Sequence, residues 1–232
     1  MTDILTAGLT ELGLDTAAAA VLERYADALL EKNKVMNLTA ITQPDQVATL
    51  HLLDCAALLP LSPLAGKTVI DVGTGAGLPG MVLALLTPDA RFTLLDSLGK
   101  RIDFLQEVCD DMGLPHVTCV HARAEDFAAQ HRERYDVAVS RAVAQLNVLC
   151  ELTLPLVKVG GQFAAMKSVS TDEEIRQARS AIAQLGGQLS GVTDYTVPET
   201  DVVHRIVSIE KTQHTPKQFP RAFARIKKAP MV

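Results

Sequence analysis

Apolar positions recur at helical spacing through residues 3–30: Ile4, Leu5, Leu9 and Leu12, then Ala18, Val21, Leu22, Tyr25 and Leu29. Asp15 and Thr16 interrupt this run and suit the start of a second helix. A further helix is expected over 44–59, with Pro44 in its first turn, where no intrahelical N–H bond is lost. No part of this N-terminal region reads as a strand.

From Gly66 the pattern changes. Residues 68–72 (TVIDV) form a short, nearly continuous apolar run ending in glycines, as expected of a strand buried on both faces. Further strands are expected at 91–96, 117–120, 135–140 and 161–166, with helices at 79–86, 99–112, 145–157 and 171–185. Two last strands, 188–197 and 202–210, have no helix between them and predict an antiparallel pair at one edge. Alternation at this spacing gives an α/β fold: a doubly wound, mainly parallel sheet with helices on both faces. The expected organisation is a helical extension over 1–65 packed on the α/β domain of 66–212, with a basic tail over 213–232.

Composition agrees with a globular chain. Of 232 residues, 48% are apolar and 21% charged, enough to build a large core. No apolar run is long enough to span a bilayer and no secretory leader opens the chain, so a cytoplasmic location is expected. The four cysteines (55, 109, 119 and 150) form no ligand cluster and are expected to be reduced thiols, with no metal. Aromatics are 4% with no Trp, which argues against a stacking platform. Charge changes the picture more. The net charge is −5, yet residues 204–232 hold seven Lys and Arg against one acid, a local balance of +6 on a remainder at −11. Such asymmetry fits an anion-binding edge on an acidic body, or a merely solvated basic tail.

The chemistry concentrates after the first strand. In Asp71-Val72-Gly73-Thr74-Gly75-Ala76-Gly77-Leu78-Pro79-Gly80, alternate glycines let the backbone turn tightly and approach a ligand, while the following helix offers its N-terminal N–H groups. Gly75, Gly77 and Gly80 satisfy GxGxxG, and Asp96 ends the second strand 19 residues after Gly77, where a carboxylate can hold ribose hydroxyls. Both NAD and S-adenosylmethionine suit these features. Asp71 at the strand end and the long helical region before the first strand lean toward the latter. Gly66-Lys67-Thr68 ends like a P-loop but precedes the strand and lacks the upstream glycine. No GxSxG or HExxH occurs, which leaves hydrolase and zinc-enzyme readings without support.

Taken together, IDVGTGAGLPG, LLDSLGKRIDFLQEV, HARAEDF, YDVAVSRAVAQL and GQFAAMKS, with the earlier NLTAI and HLLD, resemble the RsmG (GidB) family over residues 30–212. These are small-subunit ribosomal RNA guanine-N7 methyltransferases. The resemblance implies a Rossmann-like, seven-stranded methyltransferase fold binding S-adenosyl-L-methionine. It places Gly73, Leu78, Ala124, Glu125 and Arg141 at the cofactor, beside Asp71, Gly75, Gly77 and Asp96 from the loop argument. It implies the small subunit's 16S rRNA as partner and guanine 527 of the 530 loop as target. In this sequence HLLD is followed by Cys55 in place of the usual Ser, and the C-terminus PRAFARIKKAPMV departs from the family's ending.

Guanine N7 carries a lone pair and no proton, so its methylation requires placement and no general base. Arg141, after the fourth strand, is the candidate for a catalytic role, holding the cofactor carboxylate or guanine O6. The competing role is a structural ion pair with an acid at the sheet end. Lys100, Arg101, Arg123, Lys167, Arg221, Arg225, Lys227 and Lys228 are candidate RNA contacts, expected to position phosphates without reading sequence. An NAD-dependent oxidoreductase and a non-catalytic RNA-binding protein are the alternatives, and a monomer is the default expectation.

Overall fold

The computed structural model describes residues 1–141 and 144–231. A seven-stranded sheet runs through it in the order β3-β2-β1-β4-β5-β7-β6. The strands are β1 (Thr68–Val72), β2 (Arg91–Asp96), β3 (Val117–His121), β4 (Tyr135–Arg141), β5 (Val157–Ser168), β6 (Gly187–Thr196) and β7 (Val203–Lys211). β1 to β5 are parallel, and β7 lies antiparallel between β5 and β6. The expected α/β architecture and its antiparallel edge are both present.

The helices are α1 (Thr2–Glu11), α2 (Ala19–Met36), α3 (Pro44–Val47), α4 (Asp54–Ala56), α5 (Gly80–Leu86), α6 (Gly99–Met112), α7 (Ala124–Gln130), α8 (Leu146–Thr153), α9 (Asp172–Gln184) and α10 (Phe223–Lys228). Asp15 is the working cap of the second N-terminal segment: its carboxylate accepts the Ala17 N–H at 2.9 Å. α2 runs six residues beyond the expected end and stops at Asn37, which takes the left-handed conformation at φ 49°.

Five elements differ from the sequence reading. The helix expected over 44–59 is wound more widely in its middle, as a π-turn over Ala48–Leu53. The helix expected to reach 157 ends at Thr153, because Pro155 follows within a short 3-10 turn, Leu154–Leu156. That early end frees Val157–Val159 to begin β5, where the pairing with β4 shifts register between Tyr135 and Val137. α7 and α10 were not expected at all.

Alternate strand residues feed two cores. Val69, Val137 and Val139 face α1, α2, α5 and α6, whereas Ile70, Ala138 and Phe163 face α8, α9 and Ile226 of α10. Leu5, Leu22, Tyr25, Leu29 and Leu52 share the first core with the sheet and are fully buried. Each such side chain stabilises the fold by about 1.5–3 kcal/mol on area grounds, so the N-terminal helices are firmly seated. The C-terminal ends of β1 to β4 point the same way, and the strand order reverses between β1 and β4. A crevice opens there, at the switch point typical of ligand sites in such sheets.

Candidate functional site

The crevice is a single cavity of about 800 Å³ whose lining divides into two groups of residues, here two lobes. The first follows the glycine loop. Gly73, Gly75 and Gly77 have φ of +76°, +59° and +98°, conformations in which a Cβ is strained. Gly77 has a second reason to be glycine, since a Cβ would lie 2.7 Å from the Tyr25 hydroxyl and 2.8 Å from Leu105 Cδ2. Tyr25 is fully buried and donates its O–H to the Ala76 carbonyl, so α2 braces the loop from behind.

Asp96 organises the front of the loop. Its Oδ2 accepts the Gly75 N–H at 2.9 Å and its Oδ1 the Leu98 N–H at 2.9 Å, with Arg101 Nη1 at 3.5 Å. Oδ1 keeps a lone pair beyond its backbone donor, the second lone pair of Oδ2 faces only the long Arg101 contact, and Asp96 lines the cavity, so the carboxylate suits ribose hydroxyls. Asp71 lies beneath the loop and is fully buried. Its Oδ2 accepts the Gly80 N–H at 2.8 Å, while Oδ1 has no partner among the described residues. Burial pushes its pKa up to about 7; the Gly80 N–H and the nearby Thr74 hydroxyl oppose this, although that hydroxyl makes no well-formed bond. Asp71 thus organises the loop and lies outside the cavity lining. Leu78, Ala124 and Glu125 line the cavity.

The second lobe is built on Asp54. Arg141 donates from Nη1 to Asp54 Oδ2 at 3.0 Å and to the Leu50 carbonyl at 3.1 Å. Asp54 Oδ1 accepts Tyr195 Oη at 2.7 Å and His204 Nδ1 at 2.8 Å. Burial raises the Asp54 pKa, yet His204, Arg141 and Tyr195 together hold it below the usual carboxylate range. The bond to Asp54 raises that of His204. The ion pair considered for Arg141 therefore exists, and the same residue also lines the cavity. Sequence reasoning assigned no role to Thr39, His51, Asp54, Tyr195 or His204. His51 and Asp54, three apart in an otherwise apolar helical run, were the one available signal. The partners from β6 and β7 lie 141 and 150 residues away from Asp54.

The basic candidates separate. Arg101, Arg123 and Lys167 line the cavity. Lys167 is mostly spent inside, donating to the Ala144 carbonyl at 2.6 Å and Glu174 at 2.5 Å. Arg123 lies 5.9 Å over the Phe223 ring, and Phe223 also lines the cavity, so α10 sits at its mouth. Lys100, Arg225, Lys227 and Lys228 are exposed. Arg221 is taken up by the buried Glu151, at 2.8 Å from Nε and 2.6 Å from Nη2.

The family model for rRNA small subunit methyltransferase G (GidB) matches residues 18–203. The chain belongs to this family. It is 46% identical over 210 residues to ribosomal RNA small subunit methyltransferase G of Clostridium botulinum (strain Loch Maree / Type A3), covering 89% of this chain and 88% of the relative. In fold it is similar to TrmN from Thermus thermophilus, with TM-score 0.53 and 23% identity over 68% of this chain and 48% of that one. It is also similar to M. jannaschii TYW2 in complex with AdoMet, with TM-score 0.51 and 15% identity over 62% and 67%. The family resemblance and the Rossmann-like methyltransferase fold expected from sequence both hold. Membership makes the chain a ribosomal RNA methyltransferase and decides the glycine loop's ambiguity against the oxidoreductase. No described helix is long and apolar enough to cross a membrane.

Proposed function

We propose that this protein transfers a methyl group from S-adenosylmethionine to N7 of a guanine in 16S rRNA, guanine 527 of the 530 loop, on the cytoplasmic small subunit. One observation carries the reading: the lobe beside the glycine loop is continuous with a lobe whose carboxylate, Asp54, and nearer imidazole, His51, are both engaged. Asp54 receives three donors. His51 has Thr39 Oγ1 on Nε2 and Arg141 on Nδ1, and burial and then Arg141 lower its pKa to about 4. Neither Asp54 nor His51 is free to take a substrate proton, and the bond to Asp54 favours the proton-bearing form of His204, which suits a nucleophile that has no proton to lose.

The first lobe fits the cofactor. Asp96 would hold its ribose hydroxyls, Ala124 and Glu125 its adenine edge, and the backbone of Gly73 and Gly75 its methionine portion. Gly77, Leu78 and Asp71 shape the loop that does so. Arg141 spends three N–H donors on Leu50, Asp54 and His51, leaving two for the cofactor carboxylate. Bound there, S-adenosylmethionine supplies an electrophilic methyl group. The chain's share of the rate is alignment in the crevice, a contribution on the order of 7 kcal/mol when reacting atoms are held in line. Lys100, Arg101, Arg123, Arg225, Lys227 and Lys228 are the RNA-facing set, and Lys167, committed to Ala144 and Glu174, is not part of it. Arg221 serves that set indirectly, by anchoring α10.

The test uses labelled S-adenosylmethionine and small subunits from a strain lacking this protein, with nucleosides identified by mass spectrometry. One N7-methylguanosine per subunit is expected. A different product, or none despite cofactor binding, overturns the guanine-N7 reading. Asp96→Ala is expected to weaken S-adenosylhomocysteine binding by about tenfold or more through loss of charge-assisted hydrogen bonds. Unchanged affinity in calorimetry would remove Asp96 from the cofactor site.

A further inference from the structure

Thr39 is the most heavily braced residue on the second lobe. Asn33 grips its backbone from both sides, with Oδ1 accepting the Thr39 N–H at 2.9 Å and Nδ2 donating to the Thr39 carbonyl at 3.0 Å. The Thr39 hydroxyl accepts the Ile41 N–H at 3.0 Å and lies 2.7 Å from His51 Nε2. Arg141 decides which way the proton lies in that last contact. A guanidinium has donors only, so His51 Nδ1, 3.2 Å from Arg141 Nη2, must accept. The Leu50 carbonyl, 3.0 Å from the same nitrogen, has a second lone pair beyond the one Arg141 Nη1 takes, but a proton on Nδ1 would stand donor to donor against the charged guanidinium. A neutral imidazole accepting at Nδ1 carries its proton on Nε2, and that N–H donates to Thr39. Both lone pairs of the Thr39 hydroxyl are then spent, on Ile41 and His51. Its own proton has no partner among the described residues, and Thr39 lines the cavity.

We infer that Thr39 is a specificity-determining contact to the target base, donating a hydrogen bond to the exocyclic carbonyl oxygen O6 of guanine. The inference rests on the guanine-N7 reading above and deepens it. The guanine edge that carries N7 presents two acceptors, N7 and O6, whereas adenine sets an amino donor beside its N7. The N7 lone pair has to stay free for the methyl group, so recognition along this edge falls to O6. An ordinary hydroxyl can accept from an amino group as readily as it donates to a carbonyl. This one cannot: with both lone pairs occupied, it meets adenine's amino group donor to donor. His51 and Arg141 act as positioning residues that hold the hydroxyl in this state, and Asn33 fixes where it points.

The test compares small subunits reconstituted with guanine or with 2-aminopurine, which lacks O6, at the target. The wild-type enzyme is expected to lose about tenfold to a hundredfold in kcat/KM when O6 is removed. Thr39→Val, which keeps the shape without the hydroxyl, is expected to show a similar loss on guanine and no further loss on 2-aminopurine. Thr39→Ser restores both the rate and the preference, and the affinity for S-adenosylhomocysteine is the same in all three, which a merely structural role would not give. Thr39→Ala provides the same comparison if valine is not accommodated. Hydroxyl-free variants that keep wild-type kcat/KM on guanine, or still discriminate against 2-aminopurine, overturn the inference. A wild-type product other than N7-methylguanosine overturns the underlying reading, and nucleoside analysis of the unmutated enzyme tells that failure apart.

Discussion

Asp54 shows how one carboxylate sets the state of several neighbours. Its side chain is 2% exposed and serves donors from β4, β6 and β7. Replacing it by Asn keeps the shape but leaves the Arg141 guanidinium without a counter-charge in a largely buried site. Asp54→Asn is expected to cost about 3–5 kcal/mol in denaturant unfolding and to abolish methyl transfer. It also changes a titration. With its folded pKa raised by Asp54, His204 contributes stability that is fully present below its unfolded value near 6.5 and is lost as pH rises through the folded one. In Asp54→Asn the His204 imidazole is expected to titrate lower than in wild type, read by NMR; an unmoved pKa would separate His204 from this network. Asp71 changes stability with pH in the same direction but from a different cause, the burial of its charged form. Its folded pKa of about 7 against 3.8 means the unfolded chain ionises first, so stability falls as pH rises from about 4 to 7 and stays lower above. Asp71→Asn escapes that loss. Its stability relative to wild type is expected to rise between pH 4 and 8, by up to a few kcal/mol, and a constant difference across that range would show that Asp71 is ionised throughout.

At the scale of elements, the glycine loop depends on a helix far away in sequence. Tyr25 on α2 supports the Ala76 carbonyl and fills the space that a Cβ on Gly77 would need. Tyr25→Phe removes one hydrogen bond and leaves that carbonyl unpaired. A loss of about 1 kcal/mol in stability is expected, together with weaker S-adenosylhomocysteine binding in calorimetry, because the loop loses its rear support. The strands and the loop were legible in the sequence since their signals are local: β1 and β2 are short, mainly apolar runs, TVIDV and RFTLLD, and the turn demands glycine at particular φ. The place of Asp96 beside the loop was legible because it follows from where a second strand ends. α7 escaped notice because AEDFAAQ is too short for helical periodicity to show, and the π-turn because a widened turn leaves no mark on spacing. The second lobe was least legible of all. Its groups come from residues 39, 51, 54, 141, 195 and 204, and nothing local in the sequence links a His near the N-terminus to one on β7. Only the antiparallel insertion of β7 beside β5 brings them together.

The whole molecule redistributes the charge that the sequence concentrated at its end. Of the seven basic residues in 204–232, three are committed inside the fold: Arg205 to Asp172 and Asp194, Lys211 to Glu133, and Arg221 to Glu151. The C-terminal segment is further pinned by fully buried Ile226 and by Asn147, which donates to the Met231 carbonyl at 2.7 Å. Lys217, Arg225, Lys227 and Lys228 remain exposed, with no acidic partner among the described residues, and the last three are carried by α10 at the cavity mouth. A rigidly held basic helix on a body with net charge −5 favours one docking orientation, because the surrounding acidic surface repels phosphates elsewhere. Each phosphate neutralised contributes about 0.7–0.9 to the slope of log affinity against log salt. Converting Arg225, Lys227 and Lys228 to Ser is therefore expected to reduce that slope by about 2–3 for small-subunit binding, with S-adenosylhomocysteine affinity and thermal stability unchanged. An unchanged slope would mean that the RNA approaches another face. A reduced slope accompanied by lost cofactor binding would mean that these side chains support the pocket itself.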